Sequence, residues 1–255
     1  MSPAAGSTKR KADTPAIWQL PPATVHTASF LVAQTIATKA VEHTSIAGIF
    51  GDPGTGKTYA LQHFCAHSGI ESVYVTASTS PQRKEIYEEI LLAITAHVPD
   101  LSARDLRRRC HEVLAEHKRV VIVDECQNLS LTWHNQLRNL HDHGDAAFAL
   151  ILAGGTNAER ALSRDQQMWS RITLRTTFGA LEDQELLNTL ASLHPVFANT
   201  DDDLLLSIDA RDCRGNLRNW VAFLTIALPF VGASSHPDRV TAKVVRSVFA
   251  LRGVA

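Results

Sequence analysis

Residues 51–58 read Gly-Asp-Pro-Gly-Thr-Gly-Lys-Thr, and no other stretch restricts the fold as strongly. The octapeptide satisfies G-x-x-x-x-G-K-[ST] in full. It also lies where that pattern carries meaning, between a short apolar run at 46–50 and a helical pattern that continues through His67. Glycines let successive backbone N–H groups turn inward around an anion, and the helix behind them adds the positive end of its dipole. On this reading Gly51, Asp52, Pro53, Gly54, Thr55 and Gly56 wrap a phosphate chain and Lys57 reaches the β- and γ-phosphates. Thr58 ligates Mg²⁺, and Tyr59 follows on the first helical turn. The implied ligand is Mg²⁺-ATP. A strand that enters a glycine loop and leaves as a helix belongs to an α/β chain, a parallel sheet covered by helices on both faces.

A second signal matches the first. Residues 120–123 are Val-Val-Ile-Val, followed by Asp124 and Glu125. Four β-branched residues ending in two carboxylates describe a buried strand whose C-terminal edge presents both acids toward the phosphate loop. Asp124 is assigned to the Mg²⁺ shell and Glu125 to orienting and activating the attacking water. An acid directly after the strand-end Asp indicates hydrolysis and disfavours a simple nucleotide kinase.

Further strands are expected at 72–76, 148–153 and 172–176. Helices are expected at 28–41, at 133–140, and in two segments between. Ser80-Pro81 offers an N-cap and a first-turn proline for a helix with Ile86, Tyr87, Ile90, Leu91 and Ile94 on one face. Ser102 with Asp105 reads as a capping box for the next, which turns Leu106, Cys110, Val113 and Leu114 inward. From Leu181 the pattern is helical only, around 183–193, 202–209, 217–228 and 242–251. The expected organisation is a flexible N-terminal tail over 1–23, a nucleotide-binding core over 24–180 and a small all-helical lid over 181–255.

Composition removes several alternatives. The longest apolar stretch, 220–233, is broken by Thr225 and Pro229 and is shorter than the run of about 20 residues that crosses a bilayer, so no membrane partner is expected. Lys9, Arg10 and Lys11 precede no apolar segment, which argues against a secretory signal and for a cytoplasmic location. Four cysteines, Cys65, Cys110, Cys126 and Cys213, stand far apart without a C-x-x-C pair and read as reduced structural thiols. His63 and His67 have metal-compatible i, i+4 spacing but lack a full ligand set. The formal net charge is −1, so any nucleic-acid contact must come from a local basic strip.

Beyond the two nucleotide motifs come Gly154-Gly155-Thr156-Asn157 at a strand end, then Arg164, Ser170-Arg171, and Gly215-Asn216-Leu217-Arg218. This order resembles AAA+ ATPases over roughly residues 30–250. The resemblance implies a polar sensor at Thr156 or Asn157, an arginine finger at Arg164 or Arg171 that completes a neighbouring subunit's site, and a lid arginine at Arg218. Thr156 with Glu159 also reads as a capping box, so cap and sensor compete for Thr156. Residues 150–181, with Arg164-Asp165-Gln166-Gln167, Arg171 and Phe178-Gly179-x-Leu181, look most like the transposition ATPases of the TnsC/TniB and Mu B type.

That resemblance implies a homo-oligomer, a closed ring or a helical filament, assembled on double-stranded DNA, with a transposase as partner. TnsC-like proteins place DNA-contacting residues in the region corresponding to the loop 77–84. This chain departs there in detail, with Ser78, Thr79 and Ser80 before Arg83 and Lys84. Hydroxyls and cations suit phosphate contacts that do not read bases. The arginines of 104–109 and the basic residues 9–11 are secondary candidates. The rival expectations are an AAA+ ATPase of another role, secretion-linked or of the replication-loader type, and a nucleotide-binding switch with little hydrolysis.

Overall fold

The computed structural model describes residues 25–78 and 85–254. They divide into two compact units, one spanning His26–Ala180 and the other comprising Leu181 onward together with Val25. The first unit alternates helices and strands: α1 (Ala28–His43), β1 (Ile46–Gly51), α2 (Lys57–His67), β2 (Ser72–Thr76), α3 (Glu85–Thr95), α4 (Ala103–Ala115), β3 (Arg119–Asp124), α5 (Leu131–His141), β4 (Phe148–Ala153), α6 (Thr156–Arg164), α7 (Gln166–Trp169) and β5 (Ile172–Phe178).

All strand pairings are parallel, in the order β2-β3-β4-β1-β5. Every residue of β1, β3 and β4 is buried, because helices cover both faces; hence the unbroken apolar runs in the sequence. Successive side chains point to opposite faces. Ile46, Phe50, Val121, Val123, Leu150 and Leu152 enter one core with the buried faces of α3, α4 and α5. Ala47, Ile49, Val120, Ile122, Ala149, Ile151 and Ala153 enter the other with α1 and α2. The second face is rich in alanine, and so are the helix stripes it meets, with Ala33, Ala37, Ala40 and Ala60. Small side chains on both sides let these helices lie close to the sheet. β1 lies between β4 and β5, so the chain leaves β1 toward one edge and later crosses back over it to form the other. A loop at the C-terminal end of such a strand opens into a crevice.

The expected strands and helices of this unit are present. Ser102 caps α4 through the Asp105 N–H, and its hydroxyl also donates to the Asp105 carboxylate at 2.6 Å, so the box closes between side chains. The expected cap at Ser80-Pro81 lies outside the described residues, as does the tail over 1–23. β3 begins one residue earlier than expected, at Arg119, whose guanidinium is fully buried 3.3 Å from the Glu71 carboxylate.

The second unit is helical: α8 (Asp183–Leu193), α9 (Pro195–Ala198), α10 (Asp202–Ile208), α11 (Leu217–Gly232) and α12 (Ala242–Arg252). Its core surrounds Trp220, whose indole N–H donates to Asp209 at 2.8 Å. α10 passes into a π-helical turn, Asp209–Cys213, and the same Asp209 oxygen accepts the Gly215 N–H at 2.7 Å. α11 continues past Pro229, against expectation. A proline in the last turn removes one hydrogen bond, and burial of Val231 just beyond it keeps the helix going. Among the described residues no helix is long and apolar enough to cross a membrane.

Burial holds the imidazoles of His134 and His141 below their ordinary value, against the opposing pull of Asp165 and Asp142 respectively. The folded state therefore binds these protons less readily than the unfolded chain. The stability they carry is complete above the unfolded value of 6.5 and is lost as pH falls through and below it. The urea midpoint is expected to drop between about pH 7.5 and about pH 5.5, with a shallower drop in His134→Gln. A midpoint insensitive to pH over that interval contradicts this account.

Candidate functional site

The site is built where β1 gives way to α2. Gly51 has a φ of +136°, and a Cβ there would lie 2.3 Å from the Phe178 carbonyl oxygen, so no side chain fits. Gly56, at φ +105°, caps α2 in the left-handed region, which turns the loop into the helix. The Thr55 hydroxyl and the Lys57 ammonium both donate to the Asp52 carbonyl oxygen at 2.8 Å. Lys57 is only 8% exposed, a cation held at a helix N-terminus inside a glycine loop. A buried ammonium at a helix N-terminus is chemically complementary to a phosphate chain.

Asp124 ends β3 at 3% exposure, directly across from the loop. One carboxylate oxygen accepts the Thr58 hydroxyl at 2.8 Å and the Tyr74 hydroxyl at 2.5 Å. The other accepts the Glu125 N–H at 2.8 Å. A hydroxyl and a carboxylate in contact are hard oxygen donors of the kind that Mg²⁺ takes, so this pair fits the ion. Burial, and next the Asp124 carboxylate, push the Tyr74 phenol far above its ordinary range and keep it a donor.

Glu125 follows in the left-handed region, at φ +55°, and begins a short turn, Cys126–Asn128. The Gln127 amide nitrogen donates to the Glu125 carboxylate, and the Gln127 amide oxygen accepts the Gly155 N–H at 3.1 Å. Asn128 donates from its side chain to the Ala77 carbonyl at 2.9 Å, and the Ala77 N–H donates to the Asp124 carbonyl at 2.9 Å. The ends of β2, β3 and β4 are thereby tied together.

The capping-box expectation for Thr156 is corrected. Gly155, extended at φ −71° and ψ 173°, occupies the cap of α6, so Thr156 falls one residue inside the helix. Its hydroxyl turns to the loop and donates to the Asp52 carboxylate at 3.2 Å, while Glu159 accepts from Thr177 at 3.3 Å. Asn157 is exposed on the same turn. Tyr59 packs its ring beside Phe30 and His63. Arg164 and Arg171 are exposed, and Arg171 pairs with Asp142 at 3.2 Å. Arg218 opens α11 in the helical unit, its N–H bonded to the Asn216 side chain at 3.0 Å.

Of the expected DNA-facing residues, Ser78 is half-buried beyond β2. Thr79, Ser80, Arg83 and Lys84 lie outside the described residues. On α4, Arg108 lies within 3.6 Å of Asp105 and Arg109 within 3.0 Å of Glu112, so acids of the same helix partly neutralise that cluster. The His63 and His67 rings stack at 4.0 Å, and no metal-binding group of three or more His, Cys, Asp or Glu occurs among the described residues.

Two polar side chains of the site escaped the sequence reading. Tyr74 alternates with the buried Val73 and Val75, which turns it to the α2 side of the sheet. Its partner became predictable only once β2 and β3 paired with Thr76 opposite Asp124. Gln127 has no periodic signal, and its role depends on a turn.

Residues 40–162 match the family model of the AAA domain. No functionally curated protein matches the sequence. Among solved structures the chain is similar to Cdc6p from Pyrobaculum aerophilum, with a TM-score of 0.72 at 16% identity over 91% of this chain and 69% of that one. It is similar also to the Aeropyrum pernix ORC1 protein in complex with DNA, with a TM-score of 0.63 at 17% identity over 91% and 66% of the two chains. For the Aeropyrum pernix ORC2 protein in its ADPNP–ADP complexes the values are 0.62, 18%, 87% and 66%. The chain spans about two thirds of the length of these structures. The likeness establishes the fold, a P-loop AAA+ fold with a five-stranded parallel sheet flanked by helices and a helical C-terminal region.

Removing the Tyr74 hydroxyl leaves the buried Asp124 carboxylate short of one donor. Tyr74→Phe is therefore expected to lower unfolding stability by about 1.5–3 kcal/mol, the range for hydrogen bonds to charged groups. Chemical denaturation checks this, and an unchanged midpoint contradicts it.

Proposed function

We propose that this chain is an ATP-dependent, DNA-binding ATPase that assembles on double-stranded DNA and selects or licenses target DNA for a partner transposase. The observation that carries the ATPase part is the placement of Thr58 against Asp124, with Lys57 in the loop and Glu125 on the next residue. Lys57 and the N–H groups of 51–58 would hold the phosphates of ATP, and Thr58 and Asp124 would hold Mg²⁺, which supplies charge neutralisation at those phosphates. Glu125 would orient the attacking water and take up its proton. Thr156 or Asn157 would sense the terminal phosphate, and Arg218 would serve as the lid arginine.

Arg171, or Arg164, would complete the site of a neighbouring subunit. The Arg171–Asp142 pair does not oppose this, since an exposed pair is worth about 0–1 kcal/mol and exchanges readily for a more buried anion. The target-DNA part rests on the transposition-like stretch 150–181 and on Ser78, Thr79, Ser80, Arg83 and Lys84. A near-neutral chain offers few cations per subunit, so affinity would come from repetition of that loop along the duplex in a ring or filament. A second reading is an AAA+ ATPase of the replication-loader kind. The observation favouring it is the likeness to the Orc and Cdc6 structures, one of them in complex with DNA.

Glu125→Gln is expected to retain ATP binding and to lose roughly 10²-fold or more in kcat, whereas Lys57→Ala loses nucleotide binding. Titration with a fluorescent ATP analogue and steady-state turnover distinguish the two, and equal affinity in Lys57→Ala and the parent overturns the site. Arg171→Ala, inactive alone, should regain turnover when mixed with Lys57→Ala, which donates an intact arginine; co-assembly without recovery assigns the finger elsewhere.

Duplex DNA should stimulate turnover, and the Arg83→Ala/Lys84→Ala double variant should bind every sequence more weakly. Its log K versus log salt slope should be shallower by about two. An unchanged slope removes this loop from the interface, and turnover indifferent to DNA favours an ATPase of another role.

A further inference from the structure

Glu125 and Gln127 are both exposed, yet the turn that carries them is tightly specified. Glu125 has a left-handed backbone, which for a residue with a long side chain is disfavoured and persists only where surrounding contacts over-determine it. Two of those contacts run through one side chain. Gln127 faces a carboxylate, which only accepts, and the Gly155 N–H, which only donates. The orientation of its amide is therefore fixed by chemistry: nitrogen to Glu125, oxygen to Gly155.

Gly154 makes this seat possible, because a Cβ there would lie 2.5 Å from the Gln127 amide oxygen and 2.7 Å from the Ala158 Cβ. The residue after Gly155 is Thr156, whose hydroxyl reaches the Asp52 carboxylate of the glycine loop. A continuous arc thus runs from the glycine loop through the end of β4 to the carboxylate beside Asp124.

We infer that Gln127 is a positioning residue for Glu125, holding its carboxylate in one orientation by anchoring it to the end of β4. The inference rests on the ATPase reading above and deepens it. A side chain that only donates, such as Lys, would leave Gly155 unpaired; one that only accepts, such as ionised Glu, would repel Glu125. Gln127 touches neither phosphate nor metal in this account, so its loss should appear in kcat and leave nucleotide affinity alone.

The test is a double-mutant cycle of Gln127→Leu with Glu125→Gln, with Gln127→Glu as a second probe that keeps the acceptor for Gly155 and loses the donor. Steady-state ATP turnover, affinity for a fluorescent ATP analogue and thermal unfolding are measured on the full chain. Gln127→Leu and Gln127→Glu are each expected to lower kcat at least tenfold, with KM and analogue affinity within about twofold of the parent. Because the side chain is exposed, both variants should unfold within a few degrees of the parent. In the Glu125→Gln background, Gln127→Leu should produce no further loss.

If Glu125→Gln turns over as fast as the parent, the ATPase assignment of Glu125 fails, and the inference with it. If Glu125→Gln is slow while Gln127→Leu is as fast as the parent, the inference alone fails. A Gln127→Leu loss that persists in full in the Glu125→Gln background shows that Gln127 acts through something other than Glu125, and likewise overturns it.

Discussion

A carboxylate almost out of reach of water, at the end of a strand buried on both faces, is tolerated only if donors surround it. Asp124 is such a group. Its donors come from three places: Thr58 at the head of α2, Tyr74 on the neighbouring strand, and the N–H of Glu125. Each requires a different part of the architecture to be in position. The hydroxyl of Thr58 arrives only if the glycine loop closes onto α2, and that of Tyr74 only if β2 pairs with β3 in the observed register. The N–H of Glu125 is placed by the backbone of Asp124 itself, where β3 ends. The glycine loop and the pairing of β2 with β3 are thus coupled through a single carboxylate.

The sheet's two faces pack differently around that carboxylate. On the α1 and α2 side, alanines line both sheet and helices, and the helix carrying Lys57 and Thr58 packs there through Ala60, Leu61 and Phe64. On the α3, α4 and α5 side, larger aliphatic and aromatic side chains fill the layer, with Tyr87 edge-on to Trp133 at 5.2 Å. The exposed Arg164 closes α6 and the exposed Arg171 follows α7, helices whose buried residues belong to the α3, α4 and α5 side.

How much of this was legible in the sequence depended on how local the signal was. The glycine loop, the apolar runs of β1, β3 and β4, and the inward stripe of α4 are each written within a dozen residues, and they appear where expected. Signals that depend on which strands become neighbours were not legible. Tyr74 looks like an ordinary strand aromatic until Asp124 lies beside it, and Arg119 looks like the polar residue before a strand until Glu71 covers it. Thr156 failed as a cap for a different reason. Gly155 can take the cap conformation equally well, and the nearby Asp52 gives the threonine hydroxyl a partner outside the helix. Gln127 lay beyond pattern altogether, since a three-residue turn has no period.

The left-handed backbone at Glu125 sets selection for stability against selection for chemistry. A glycine adopts that conformation without the steric penalty of about 1 kcal/mol or more that a residue with a side chain meets there. The version of this chain with glycine at 125 would relieve the strain while discarding the carboxylate. Under pressure for stability alone, drift at this codon would run toward glycine, asparagine or aspartate, the residues most at ease in that region. The persistence of a glutamate in lineages that share this turn, or its decay to one of those three, would then record whether the role proposed for this carboxylate is being selected, in a form readable from sequences without an assay.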